Sequence, residues 1–224
     1  MLTIVILGLA LFGAPGWLTH TTAEELSFSY QAIGEEDEFD QVLTIKNDGL
    51  GAVAPKLKIT PLDSTSQPIS GLKVTSAFGS TNGTMIIPSF FEDFDILKFE
   101  GARADEVYDV RVEVVELKQV DYPDMPEGGV VIEQYLNEGK PSKEFDDPFD
   151  ALELHNPNDD DLTIKIALIA WQEKEGDAPQ QFDWVITSGP AVTVPANSRK
   201  TLRLGQDTAG IRYVTAWPFQ STTS

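Results

Sequence analysis

Six stretches of this chain place an apolar side chain at every second position, and a period of two admits one kind of backbone. They are Val42-Leu43-Thr44-Ile45-Lys46, Leu57-Lys58-Ile59-Thr60, Val110-Arg111-Val112-Glu113-Val114, Leu152-Glu153-Leu154, Leu162-Thr163-Ile164-Lys165-Ile166 and Thr201-Leu202-Arg203-Leu204. Successive side chains of a strand point to opposite faces, so each stretch predicts a strand with one dry face and one wet face. Asn47-Asp48-Gly49, Asn82-Gly83 and Asn156-Pro157-Asn158 supply turn residues between them. Beyond the N-terminus no stretch carries the period of an amphipathic helix; Ala102–Glu106 predicts a single turn.

The same order of parts occurs twice. Val42–Asp48 is answered by Ala151–Pro157, and each continues into a second strand, Leu57–Leu62 or Leu162–Trp171. Ile96-Leu97-Lys98-Phe99 is matched with Thr201-Leu202-Arg203-Leu204, and Asp109-Val110-Arg111-Val112 with Gly210-Ile211-Arg212-Tyr213. Two tandem β-domains fit this repetition better than one large barrel. The segment between them, Lys118–Asp150, is rich in Pro, Gly and acids and contains one strand-like run, Val130–Leu136. The boundaries expected are a domain over 24–119, a linker over 120–129, a domain over 130–219 and a tail over 220–224.

In the second half, Leu154-His155-Asn156-Pro157-Asn158 is followed by Val192-Thr193-Val194-Pro195-Ala196-Asn197-Ser198 and then Thr201-Leu202-Arg203-Leu204. This resembles the immunoglobulin-like modules of bacterial and archaeal surface proteins, in which an Asn-Pro turn follows an early strand and a Val-Pro-Ala/Gly turn precedes a late one. The first half matches less well, having Asn47-Asp48-Gly49 and no clear Val-Pro-Ala. The resemblance covers about half of the chain. It implies a fold and a surface setting and carries no catalytic residue across. The fold expected is therefore all-β: two tandem immunoglobulin-like antiparallel β-sandwiches after a single N-terminal hydrophobic helix.

That helix is the run Met1–Leu18, in which no side chain is charged. At ~1.5 Å per residue it would measure about 27 Å, close to a hydrocarbon core of ~30 Å. Leu2, Ile4, Val5, Ile6, Leu7, Leu9, Leu11 and Phe12 would face lipid, and Trp17 would sit where interfacial aromatics belong. Pro15 and Gly16 mark where the regular helix should stop. A cleaved leader is the competing reading: Thr21-Thr22-Ala23 suits cleavage, but no basic n-region precedes the apolar run. Acids dominate after the run, and the first basic residue is Lys46. The positive-inside preference then puts the body on the periplasmic or extracellular side of a single-pass protein.

Charge and composition narrow the partners. A net charge of −20 repels nucleic acid, so no nucleic-acid partner is expected, and it favours solubility, cations or a basic partner. The absence of cysteine excludes disulfides, thiolate nucleophiles and Cys-ligated metal. The two histidines, His20 and His155, stand far apart in sequence, too few for a His-based metal site or a Ser-His-Asp triad. Neither a Gly-x-Ser-x-Gly elbow nor a phosphate-binding glycine loop is present.

The acidic runs Glu35–Asp40, Asp146–Asp150 and Asn158–Asp161 read as solvated loops; Asp159, Asp160 and Asp161 are the best calcium candidates, and calcium is the one cofactor the chain suggests. Phe90, Phe91, Trp217 and Phe219 form docking patches if they prove exposed. Asn82-Gly83-Thr84 fits the N-glycosylation triplet.

The function expected is a non-enzymatic, membrane-anchored extracytoplasmic accessory subunit. Its N-terminal helix would pack among lipid and the subunits of a membrane complex, and its sandwiches would bridge neighbouring subunits. A filament or surface-layer subunit, and a secreted calcium- or glycan-binding module, are the alternatives.

Overall fold

The structure, a computed structural model, describes residues 20–31, 41–123, 128–142, 147–171, 182–205 and 214–221. It is all-β: its strands pair antiparallel in several sheets, and the helical elements among the described residues are two short 3-10 turns, Ala23–Glu25 and Ala104–Glu106. No helix among the described residues is long and apolar enough to cross a membrane. The run Met1–Leu18, with Leu2, Ile4, Val5, Ile6, Leu7, Leu9, Leu11, Phe12 and Trp17, lies outside the described residues. The chain divides into two units that meet at Tyr122 and Pro123, inside the segment expected to be linker.

Unit 1 contains β1 (Leu26–Gln31), β2 (Val42–Asn47), β3 (Ala52–Leu62), β4 (Lys73–Ser76), β5 (Glu92–Glu100) and β6 (Asp109–Val120). One sheet has the order β1-β2-β5-β4; the other is the pair β3-β6. Alternation decides which residues go inside. Tyr30 pairs with Leu43, Leu43 with Asp95, and Ile45 with both Phe28 and Asp93, so these side chains share one face. Leu43, Ile45, Leu97, Met85 and Ile87 are completely buried. Each such side chain contributes roughly 1.5–3 kcal/mol by leaving water.

Unit 2 contains β7 (Val131–Asn137), β8 (Lys140–Pro141), β9 (Ala151–Asn156), β10 (Leu162–Trp171), β11 (Phe182–Val194), β12 (Ser198–Arg203) and β13 (Val214–Gln220). Its sheets run β12-β9-β7-β8 and β11-β10-β13. Strand β10 is the centre of its sheet: Leu162, Ile164, Ala167 and Leu168 are fully buried, as a strand flanked on both sides should be.

The repetition read from sequence has a register, and the register corrects its details. Lys46 pairs with Glu92 in unit 1, and His155 with Arg199 in unit 2. Phe94 lies opposite Thr44, and Thr201 lies opposite Glu153, so Phe94 and Thr201 are the equivalent pair. Matching Ile96 with Thr201 is therefore wrong by two residues, a slip that a period-two pattern cannot detect because it preserves the face. The Val-Pro-Ala counterpart expected to be missing from the first half is Ile87-Pro88-Ser89. Ile87 bridges Val53, as Val194 pairs with Leu162. Residues 210–213, matched in sequence with Asp109–Val112, lie outside the described residues. Even the aromatic packing repeats. Tyr30 and Tyr135 stand opposite Leu43 and Leu152, and each meets a phenylalanine edge to face, Phe99 at 6.4 Å and Phe149 at 4.9 Å.

Candidate functional site

Each unit is tied at one end by a buried asparagine, Asn47 at the end of β2 and Asn156 at the end of β9. Asn47 and Asn156 are wholly buried. The Asn47 amide donates to the carbonyls of Gly51 at 2.8 Å, Ile87 at 3.1 Å and Pro88 at 3.0 Å, and its Oδ1 accepts the Gly49 N–H at 2.9 Å. The Asn156 amide donates to Asp160 at 2.8 Å, Val194 at 3.0 Å and Pro195 at 3.2 Å, and its Oδ1 accepts the Asn158 N–H at 3.0 Å. In both, one side chain satisfies backbone groups that a tight loop leaves unpaired, and joins two loops that are distant in sequence.

These asparagines were missed in the sequence, where they read only as turn residues. The signal that could have found them is position: each ends an alternating run at a place where the apolar pattern calls for an inward residue.

Unit 1 adds a third chain segment to this knot. Thr21 is buried, its Oγ1 2.6 Å from the Gly51 carbonyl and 3.2 Å from Asn47 Oδ1, and it accepts the Gly51 N–H at 3.1 Å. Its backbone exchanges hydrogen bonds with the Gln119 side chain at 3.1 and 2.7 Å. Gly49 is required beside it, because a Cβ there would meet Thr21 Oγ1 at 2.2 Å. The chain therefore enters unit 1 at the loops 48–51 and 88–91. His20, just outside, is exposed.

The common register shows what stands on these loops. Leu50 of unit 1 occupies the place of Asp159, and Phe90 that of Asn197. In unit 2 the two polar residues bond to each other, Asn197 Nδ2 donating to Asp159 Oδ1 at 2.8 Å. In unit 1 the two apolar ones are exposed, Leu50 by 57% and Phe90 by 67%. Phe90 also holds a left-handed backbone at φ 56°, like Asn197 at φ 47°. Asparagine suits that conformation; phenylalanine does so rarely. A large apolar side chain is thus both exposed and strained, against two preferences at once.

The other sequence candidates separate. Phe91 and Trp217 are half-buried. Phe219 is buried in unit 2, opposite Lys165 on β10, so it offers nothing to a docking partner. Asp159 and Asp161 serve the loops themselves: Asp161 Oδ1 accepts the Ala196 N–H at 2.9 Å, and the Asp160 carbonyl accepts Asn156. Among the described residues, no group of three or more acidic or histidine side chains is placed to hold a metal. Asn82 is exposed in its turn. His155 Nδ1 lies 3.1 Å from Glu133 Oε1, and Arg199 forks onto the same carboxylate at 2.6 and 2.8 Å. The Arg199 hydrogen bonds and charge, with a smaller contribution from His155, hold Glu133 below the usual carboxylate range.

Unit 1 also carries an inward pair of carboxylates unforeseen in the sequence. Asp95 is fully buried, its oxygens accepting the Phe78 N–H at 2.7 Å and the Ser80 N–H at 2.8 Å. Burial pushes its carboxyl up, against the pull of those donors. Asp93, two residues before it on the same face, is pushed up to about 7, first by burial and further by Asp95, while the Phe94 N–H pulls it down.

Compared with known proteins, the chain matches no family model, no curated protein and no solved structure.

Proposed function

We propose that the chain is a non-enzymatic accessory subunit, anchored in a membrane by Met1–Leu18, that holds two immunoglobulin-like β-sandwiches outside the cytoplasm and bridges neighbouring subunits of a larger complex. The strand orders support the fold. Taken in chain order as A to F, the strands of unit 1 form the sheets A-B-E-D and C-F, the order of constant-type immunoglobulin domains without their strand G. Unit 2 differs in that β11 joins β10 instead of β12, and a short β8 adds to β7.

The observation that carries the anchored reading is Thr21. Three residues after the apolar run ends, the chain is fixed in a buried hydrogen-bond knot, so a helix in the bilayer would hold unit 1 by a very short tether. The test is intact mass combined with alkaline carbonate extraction of membranes from expressing cells. Full-length mass and retention in the pellet are expected; a mature chain beginning near Glu24 would defeat the proposal. Copurification from detergent then identifies the bridged subunits.

A second reading, a filament subunit completed by a strand from its neighbour, is favoured by β6. This twelve-residue strand pairs only with β3 among the described residues. Its inward Val112 and Val114 are half-buried, while their partners Ile59 and Leu57 are buried. Electron microscopy of purified protein divides a discrete complex from a polymer.

A further inference from the structure

We infer that the Leu50–Phe90 tip of unit 1 dips into the interface of the same bilayer that holds the N-terminal run, and that its occupant is the zwitterionic lipid surface. The inference rests on the anchored reading and adds a second, peripheral membrane contact to it.

The geometry is a matter of reach. Three peptide links separate Leu18, the last residue of the apolar run, from Thr21, and an extended chain covers at most about 10–11 Å over that distance. Thr21 Oγ1 touches Gly51, the neighbour of Leu50, and Asn47 joins Thr21 to the Pro88 carbonyl, two residues before Phe90. The headgroup layer on one side of a bilayer is roughly 6 Å thick, and apolar side chains of interfacial elements sink roughly 5–10 Å into it. With Trp17 at the interface and Leu18 next to it, this short tether keeps the tip within reach of the headgroups.

The residues on the tip suit that place. Leu50 and Phe90 are among the few large hydrophobic residues exposed on the described surface. The same two positions in unit 2, which has no apolar run leading into its loops, are filled by Asp159 and Asn197.

Charge selects the lipid. Glu24 and Glu92 are exposed near the tip, and Asp48 is paired with Lys46 at 2.7 Å. This acidic rim disfavours anionic headgroups, so the natural surface is phosphatidylcholine-like.

Because the chain has no cysteine, single cysteines report positions cleanly. Leu50→Cys, Phe90→Cys and Ser64→Cys are labelled in the full chain with an environment-sensitive fluorophore and reconstituted into phosphatidylcholine vesicles containing doxyl-labelled lipid. Ser64 is exposed in the turn after β3, whose eleven residues put it roughly 30 Å from the tip. The result expected is flotation with the vesicles, a blue shift at positions 50 and 90, loss of their fluorescence to doxyl lipid, and no loss at 64. Flotation with positions 50 and 90 as unquenched as 64 overturns the tip contact and leaves the anchor standing. Failure to float overturns the anchored reading, and the tip contact with it.

Discussion

Units 1 and 2 use the same asparagine knot at the same register, yet surround it with opposite chemistry. Around Asn156 the loops are polar and close on themselves through Asp159, Asp161 and Asn197. Around Asn47 they are apolar and open, and a third segment, Thr21, is threaded into them. On β5 and its counterpart β12 the contrast reverses. Leu202 of unit 2, opposite Leu152, holds the place that Asp95, opposite Leu43, holds in unit 1. A repeated backbone thus constrains the residues that satisfy backbone hydrogen bonds, and leaves free those that face a surface or a loop of variable length. Asp95 is explained by the loop it serves: Phe78 and Ser80 have buried N–H groups to satisfy, and Leu202 could satisfy neither.

Breaking the shared element should have the largest effect. Asn47→Ala and Asn156→Ala each orphan several buried backbone groups, and each should cost its own unit about 3–4 kcal/mol. Past Trp17 every tryptophan lies in unit 2, so tryptophan fluorescence in urea follows Asn156→Ala, while hydrogen exchange resolved by segment follows Asn47→Ala. A loss confined to one of the two would end the claim that the knots are equivalent.

Exchanging the unlike residues comes next. Asp95→Leu gives unit 1 the residue of unit 2 and should cost about 2–3 kcal/mol, because the Phe78 and Ser80 N–H groups lose their acceptors. A neutral result would show that the 77–80 loop finds other partners.

The carboxylate pair should also give the two units different pH responses. Asp93 has a folded-state pKa of about 7, above its unfolded value. Between the two values the native state binds the extra proton, so stability is fully present at low pH and is lost as pH rises through the window from roughly 4 to 7. Hydrogen exchange of unit 1 across that window should show protection falling with pH. Asp93→Asn should flatten the slope, and an unchanged slope would remove Asp93 as its cause.

The smallest effect is expected at Phe90. Phe90→Asn installs the unit 2 residue in the same left-handed conformation and should stabilise unit 1 by about 0.5–1 kcal/mol in denaturant, since relief of backbone strain outweighs the loss of an exposed ring. Destabilisation would mean that the ring packs on its neighbours in water.

Strand positions were legible in the sequence because alternation is local. Val42–Lys46 became β2, Leu162–Ile166 lies in β10, Thr201–Arg203 in β12, and the turn expected at Ala102–Glu106 is the 3-10 turn Ala104–Glu106. The segment boundary was less clear. Strand β6 extends to Val120, and the Gly128 carbonyl, placed in the linker by composition, accepts the Asn158 amide at 2.8 Å. Of the docking candidates, Phe90 and Phe219 are identical by composition, yet one is exposed and the other buried.

What the sequence determined by itself is that the fold is all-β and where its most strongly alternating strands run, since both follow from spacing within a few residues. Only the tertiary structure decided that Ile87-Pro88-Ser89 answers Val194-Pro195-Ala196, that Asp93 and Asp95 face inward, and that Thr21 belongs to the Asn47 knot. Those facts join residues tens of positions apart through a single hydrogen bond or one register pair. A pattern of period two repeats too often along this chain to say which of its strands will meet.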